Sequence, residues 1–285
     1  MRNKFIWITV ACLSLVSLFL LASVQPDSLK VDILSVGQGD SILIRTPGHH
    51  QILIDGGPDG TAVRDLGRLM PFYDHEIDLV VLTHPHADHY VGLTALLNRY
   101  KVDRLLWNGV KGTAPDYQPL QAVLEKKHVA TVVADHKVSF DFGDGVRLST
   151  IYPNRKLTGT ETEDPNVTSI ISVLDYGSNS VLLTGDTSET VEQVLVANHL
   201  IHSDTVLKVA HHGSKTGTDS GLLASIRPKF AVISVGRNNR YGHPAPETLL
   251  KLKGIKTYRT DKDGTVEFSS KAGLPFTIKA HALHD

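Results

Sequence analysis

From residue 29 to the C-terminus the chain is written in short apolar runs broken by Gly, Pro and Asp. "LKVDILSVG", "DSILIRT" and "HQILIDGG" are β-rich runs with turn residues between them, which predicts three strands in succession. "TAVRDLGRLMPF" reads as a helix, and the unbroken apolar run "IDLVVLT" predicts a strand covered on both faces. "YVGLTALLNRY" has its apolar residues at helical spacing and should pack on that strand. "DRLLWNG", "ATVVAD" and "GVRLSTIYP" then alternate with a helix at "PLQAVLEKK". The second half repeats the style. "TSIISVLDYG" and "NSVLLTGD" predict a hairpin turning at residues 177–179, followed by a helix at "SETVEQVLVANHL". Strand "TVLKVAHH", helix "SGLLASIRP", strand "KFAVISVG", helix "APETLLKLKG" and closing strands at "GTVEFSS" and "FTIKA" complete the pattern. The Asp/Glu/Thr-rich "KLTGTETEDPN" predicts a loop. Strands in both halves with helices between them predict an α/β fold, two packed sheets covered by helices, as one domain over residues 29–285.

The segment before that domain has a different pattern. Residues 5–24 carry no charge and follow Arg2 and Lys4. Such a run is long enough to cross a bilayer as a helix. Its positive flank would stay cytoplasmic, which puts everything after Gln25 outside. Residues 1–28 are therefore expected to be a membrane anchor or a cleavable signal peptide. The length of the run and the poor small-x-small site in "LLASVQ" favour the anchor. A buried core helix is the bland alternative, disfavoured by position and flanks.

Composition narrows the chemistry. A formal charge of −1 gives no net attraction to a polyanion. The sole cysteine, Cys12, lies in the apolar run, so the domain has neither a disulfide nor a thiolate-held zinc. A domain without cysteine is compatible with an oxidising exterior. Six of the 15 histidines fall in three short motifs, and these are where chemistry should be sought.

The densest motif is "HPHADH", residues 84–89, at the end of the apolar strand. His84 and His86 are two apart on extended backbone and can point to one side. Asp88 and His89 follow as a helix begins. Imidazole and carboxylate are zinc ligands, and two such pairs suit two adjacent metals. A helix cap would account for Asp88 but not for three histidines.

"THPHADH" resembles the metal-binding signature of the metallo-β-lactamase superfamily, with "LIDGG" before it and "LLTGD" and "VAHHGS" after it in the family's order. "LSVGQGDSILI", "HHGSK" and "RYGHP" look most like the extracellular hydrolase domain of ComEC-type DNA-uptake proteins and their stand-alone relatives. The resemblance implies a four-layered αββα sandwich, the metallo-β-lactamase fold, following the N-terminal hydrophobic helix. It implies Zn²⁺, as one or two ions, with Mn²⁺ as an alternative. It also implies that Asp55 orients metal ligands rather than serving as an ordinary turn aspartate, and that Asp186 bridges two metals. One histidine of the pair His211 and His212 should close the second site; its place before Gly213 favours His212. Ser214 and Lys215 are candidate contacts to an anionic substrate. His243 in "RYGHP" is expected to reach the cleft, to bind a phosphate oxygen or protonate a leaving group. One departure stands out: no histidine occurs between His136 and His199, where the family usually supplies a third ligand to the first metal. Asn166 in "EDPNVTS" is the plausible replacement, and a neutral amide suits harder cations better than zinc.

Gly-x-Ser-x-Gly is absent and Cys12 lies in the apolar run, so metal-assisted hydrolysis is the expected reaction class. The resemblance tips the substrate toward a phosphodiester, extracellular DNA above all, cut with Asp88 and His243 in the catalytic set. Two competitors are a teichoic acid phosphorylcholine esterase and, from another class, a non-catalytic membrane-tethered binding module.

Overall fold

A computed structural model describes Ser14 and residues 28–160, 162–201, 205–271 and 274–281. The expected anchor or signal peptide falls, Ser14 apart, outside these residues. Among the described residues no helix is long and apolar enough to cross a membrane.

The apolar runs assemble into two sheets. The first contains β1 (Ser28–Ile33), β2 (Ile42–Arg45), β3 (Gln51–Ile54), β4 (Glu76–Leu82), β5 (Lys101–Trp107), β6 (Ala130–Val133), β14 (Thr265–Lys271) and β15 (Thr277–His281). Their order is β15-β14-β1-β2-β3-β4-β5-β6. The second contains β7 (Ser139–Asp141), β8 (Val146–Tyr152), β9 (Ile171–Tyr176), β10 (Asn179–Leu183), β11 (Val206–Lys208), β12 (Phe230–Ile233) and β13 (Lys256–Arg259), ordered β13-β12-β11-β10-β9-β8-β7. The hairpin of β9 and β10 turns at Gly177 and Ser178, where the sequence places it. From β3 to β6 and from β10 to β13 the pairing is parallel. Parallel neighbours need crossovers. Helices α1 (Thr61–Leu69), α2 (Ala87–Arg99) and α3 (Gln118–Lys127) supply them on one side, and α4 (Glu189–Ala197), α5 (Ser220–Ile226) and α6 (Pro246–Lys251) on the other. A short α7 (Thr260–Asp263) leads from β13 back to β14 in the first sheet.

Alternation along the strands divides the core into three layers. Ile52, Ile54, Leu79 and Val81 face inward, against Leu148, Leu174, Val181 and Val206 of the opposite sheet. Their neighbours Leu53, Val80 and Leu82 face outward, under Leu66, Leu93 and Leu96 of α1 and α2. Leu182, Leu207 and Ala231 do the same beneath α4 and α5. Strands covered on both faces read as unbroken apolar runs, which explains "IDLVVLT". The result is the expected αββα sandwich.

Some element boundaries differ from the pattern. "TVLKVAHH" does not stay extended through its histidines: β11 stops at Lys208, and residues 210–213 form a tight 3-10 turn. The pattern also misses β7, β13 and α7. "SFD" and "KTYR" are short edge strands, only partly buried, so neither shows an apolar repeat.

Candidate metal centre

The loops leaving β1, β3, β4, β10, β11 and β12 meet at one pole, and each brings a polar side chain. After β4 the chain passes through Thr83, His84 and His86, and then α2 starts with Asp88 in its first turn and His89 one residue on. Asp186 follows β10, and His212 follows β11. Both His211 and His212 have left-handed backbone, with φ of 48° and 53°, before Gly213 at 80°. That conformation is unfavourable for residues with a Cβ. It also turns the two rings apart: His212 is buried, whereas His211 keeps a quarter of its side chain exposed.

Asp88, His89, Asp186 and His212 each place one ligand-type atom within 4.8 Å of all the others. His212 Nε2 lies 3.2 Å from Asp186 Oδ2 and 3.3 Å from Asp88 Oδ2. His89 Nε2 is 3.3 Å from the same Asp186 oxygen. His211 Nε2 stays 3.9 Å from it. His84 and His86 adjoin this group, with His84 Nε2 3.0 Å from His86 Nδ1.

Hydrogen bonds orient the rings. His212 Nδ1 donates to the Ser234 carbonyl at 2.9 Å, which turns Nε2 toward the cluster. Asp55, fully buried with φ of 58°, accepts from the Thr83 amide at 2.8 Å, the Thr83 hydroxyl at 2.7 Å and His89 Nδ1 at 2.8 Å. The Thr83 hydroxyl gives its proton to Asp55, so its oxygen accepts from His84 Nδ1 at 3.0 Å. One carboxylate thus sets two imidazoles, one directly and one through Thr83. This is the orienting arrangement that metal-binding histidines use.

Charges in the cluster hold one another. Burial acts to raise Asp88 and Asp186, but the surrounding imidazoles, His89 and His212, hold both carboxyls below their ordinary range. Burial acts to lower His89 and His212, and the carboxylates around them, Asp186 first, pull both well above. His84, buried and beside His89, is pushed well below and is neutral. Burial likewise lowers His211 and His243. The facing carboxylates thus demand positive charge at His89 and His212, which a bound cation would supply in place of protons.

Buried polar atoms are normally paired. Here His89 Nε2, His212 Nε2, Asp186 Oδ1 and Asn166 Oδ1 are buried without a hydrogen-bond partner. With those imidazoles deprotonated, the nitrogen and oxygen atoms that converge here fit a divalent cation. The cluster is suited to binding metal ions.

A cavity of about 290 Å³ opens over it, lined by Gln38, His86, Asp88, Asn166, Asp186, His211, His212, Tyr241 and His243, with Ala87. Most of the anticipated site residues therefore come together. Asn166 arrives on a 3-10 turn, Pro165–Thr168, pinned by two 2.9 Å bonds from Asn108 Nδ2 to Thr168. His243 reaches the wall with Nδ1 buried and unpartnered. Asp55 does not line the cavity; it acts from behind. Ser214 and Lys215 do not line it either. The Ser214 hydroxyl is turned into its own loop, 3.0 Å from Thr216 Oγ1, and Lys215 points to solvent.

The model of the metallo-beta-lactamase superfamily matches residues 34–237, which span every one of these motifs except His243. The chain belongs to that superfamily. It is 30% identical to ComE operon protein 3 of Bacillus subtilis over 285 aligned residues, 92% of this chain and 35% of that protein. It is 27% identical to Competence protein ComA of Neisseria gonorrhoeae, across 92% of this chain and 35% of that one. The chain spans about a third of the length of these curated relatives. Among solved structures, the metallo-beta-lactamase fold protein YhfI of Bacillus subtilis superposes with a TM-score of 0.58 at 14% identity, covering 86% of this chain and all of its own. Igni18, a metallo hydrolase of Ignicoccus hospitalis, gives 0.56 at 17%, covering 85% of this chain and all of its own. At such identities the superpositions establish the metallo-β-lactamase fold alone.

Within that fold, three contributors were not singled out from the sequence. Thr83 sits inside the signature, but its role depends on contacts no spacing reveals. Gln38 lines the cavity from the loop after β1. Asp40, two residues on, forms a buried ion pair with Lys208 and lies 3.5 Å from His212 Nδ1. A lysine inside the apolar strand "VLKVA" was the available signal, since lysine is almost never fully buried without a partner.

Proposed function

We propose that this protein is an exported metal-dependent phosphodiesterase that cuts DNA outside the cell. The observation that carries the reading is the cluster of unpartnered imidazole and carboxylate atoms at the floor of an open cavity. Its likeness to competence proteins supports the choice of DNA. Asp88, His89, Asp186 and His212 would hold one ion; His84 and His86, with Asp186 and the neutral amide of Asn166, would hold a second. When bound, such ions act as Lewis acids on a phosphoryl oxygen and bring the pKa of bound water toward neutrality.

The chain's own residues supply the remainder. Asp55 and the Ser234 carbonyl fix ring orientation, so little reorganisation is needed when the site is loaded. His243, lowered by burial and by its imidazole neighbours, is neutral near pH 7 and offers an N–H to a phosphoryl or leaving oxygen. Asp88 and Asp186 on the cavity wall would take up the charge of a bound cation, and turnover is expected to depend on it.

The test uses the full chain, solubilised and loaded with Zn²⁺ or Mn²⁺, against linear DNA, bis-p-nitrophenyl phosphate, p-nitrophenyl phosphorylcholine and a chromogenic cephalosporin. Chelator-sensitive cleavage of DNA and of the chromogenic diester is expected. Intact DNA with release of phosphocholine would replace this reading by the teichoic acid esterase, and no turnover of any substrate by the metal-loaded protein would leave the binding module.

A further inference from the structure

The rim of the cavity carries an aromatic column that the metal chemistry does not require. Tyr241 lines the cavity yet keeps 55% of its surface exposed. Its ring stacks on His243, with centroids 5.7 Å apart and planes inclined by 24°. His243 in turn meets His211 edge to face at 5.7 Å. The column thus descends from solvent to the metal cluster. Arg240 lies over the outermost ring, its guanidinium carbon 5.1 Å from the Tyr241 centroid and Nη2 3.0 Å from the phenol oxygen. The loop is held in place from inside. Asn239 Oδ1 accepts from the amides of Tyr241 and His243, while its Nδ2 donates to the carbonyls of Gly236 and His243. Tyr241 thus presents an amphipathic ring to solvent at the mouth of the cavity, on a loop fixed by these hydrogen bonds.

We propose that Tyr241 and Arg240 form a nucleobase subsite, which rests on the phosphodiesterase reading above. The Arg240 guanidinium leaves the Tyr241 ring for the adjoining phosphate, and the base next to the bond being cut stacks in its place. Stacking on an aromatic side chain is tolerant of sequence, because every base has a π-face, and it strengthens binding by roughly 5- to 150-fold per base. A chain of formal charge −1 has little net attraction for a polyanion, so this local contact carries a large share of the affinity. A base can stack there only when it is out of its own helix. Extracting one from an intact duplex costs about as much as the stack returns. Single strands and frayed ends are therefore the favoured substrates, and duplex interiors are not.

The test compares a fluorescein-labelled single-stranded decanucleotide, the same backbone with every base removed, and the corresponding duplex. Full-length wild type, Tyr241→Ala and Tyr241→Phe are assayed with each. Affinity is read by anisotropy, metal-free and metal-loaded, and KM is separated from kcat during cleavage. Wild type should bind the decanucleotide at least ~10-fold more tightly than the abasic backbone. Tyr241→Ala should bring that ratio close to one and raise KM more than it lowers kcat. Tyr241→Phe, which keeps a stacking face, should restore the ratio. Equal affinity of wild type for the two single strands overturns the subsite while DNA cleavage leaves the phosphodiesterase intact. Hydrolysis of bis-p-nitrophenyl phosphate without cleavage of any oligonucleotide overturns the DNA reading and the subsite with it.

Discussion

Replacing Lys208 by methionine takes the cation out of a buried ion pair and leaves the anion behind. Lys208 is fully buried on β11, paired with Asp40, which is itself 1% exposed in the loop after β1. Among the described residues the ammonium's other hydrogen bond is a long one, 3.4 Å to the Gly185 carbonyl. Burial alone would raise the Asp40 carboxyl; Lys208, with His212, outweighs it and holds the group down at about 2. Methionine preserves much of the apolar stem, so loss of packing is minor and the stranded carboxylate dominates. An uncompensated buried charge costs about 3–5 kcal/mol, a large part of the roughly 5–15 kcal/mol that holds a domain folded. At a urea slope of ~3 kcal/mol per molar, the unfolding midpoint should fall by roughly 1–1.7 M. Asp40→Asn alone leaves the lysine stranded and should cost a similar amount. The double variant, Asp40→Asn with Lys208→Met, carries neither charge and should recover most of the loss, giving strong non-additivity in a double-mutant cycle. Additive losses, or a midpoint that moves by less than ~0.3 M in Lys208→Met, would refute the reasoning, since neither is compatible with two charges that depend on each other in a dry interior.

Three further outcomes are expected. Thr83→Val removes the hydroxyl through which Asp55 fixes His84 and should weaken zinc binding ~10–100-fold in competition with a chromogenic chelator; unchanged affinity would show that His84 needs no such support. Asn166→His replaces a neutral amide by an imidazole and should raise zinc affinity relative to manganese in calorimetric titrations, whereas equal gains for both ions would argue against Asn166 as a ligand. Burial pushes the Glu192 carboxyl up to about 7, although it accepts from the amides of Thr218 and Asp219. Because the folded value lies above the ordinary 4.5, the fold is favoured while the group is protonated, and stability from this source drains away as pH rises from about 4.5 to 7. The full effect is about 3 kcal/mol. Glu192→Gln should flatten urea-unfolding stability across that window, and parallel pH profiles for the two proteins would sink the assignment.

What was legible in the sequence follows from how far apart the cooperating residues lie. His84, His86, Asp88 and His89 are neighbours in the chain, so four ligand-type groups could be read from one loop. The layered fold was legible because its strands are covered on both faces and appear as unbroken apolar runs. The difference in burial between His211 and His212 depends on left-handed backbone that spacing cannot express, although the following glycine favoured His212 as the ligand. Ser214 looked available to substrate because its loop adjoins the histidines, and only the bond to Thr216 turns the hydroxyl away. Asp40 with Lys208, and Asp55 with Thr83, meet through tertiary packing of distant segments. No local pattern announces such pairs.

The candidate ligands are divided between the two halves of the molecule. His84, His86, Asp88 and His89 hang from the first sheet, while Asp186 and His212 hang from the second and Asn166 from the turn leading into it. Neither half can present the constellation by itself, so the pocket comes into being only when one sheet docks on the other. An ion gripping both sides would act as a clasp across the seam. Its binding free energy would accrue to the whole sandwich rather than to a loop, as mass action requires of any ligand that recognises only the folded chain. Stripping the clasp would loosen the joint between the layers first, while each sheet kept the helices packed on its outer face.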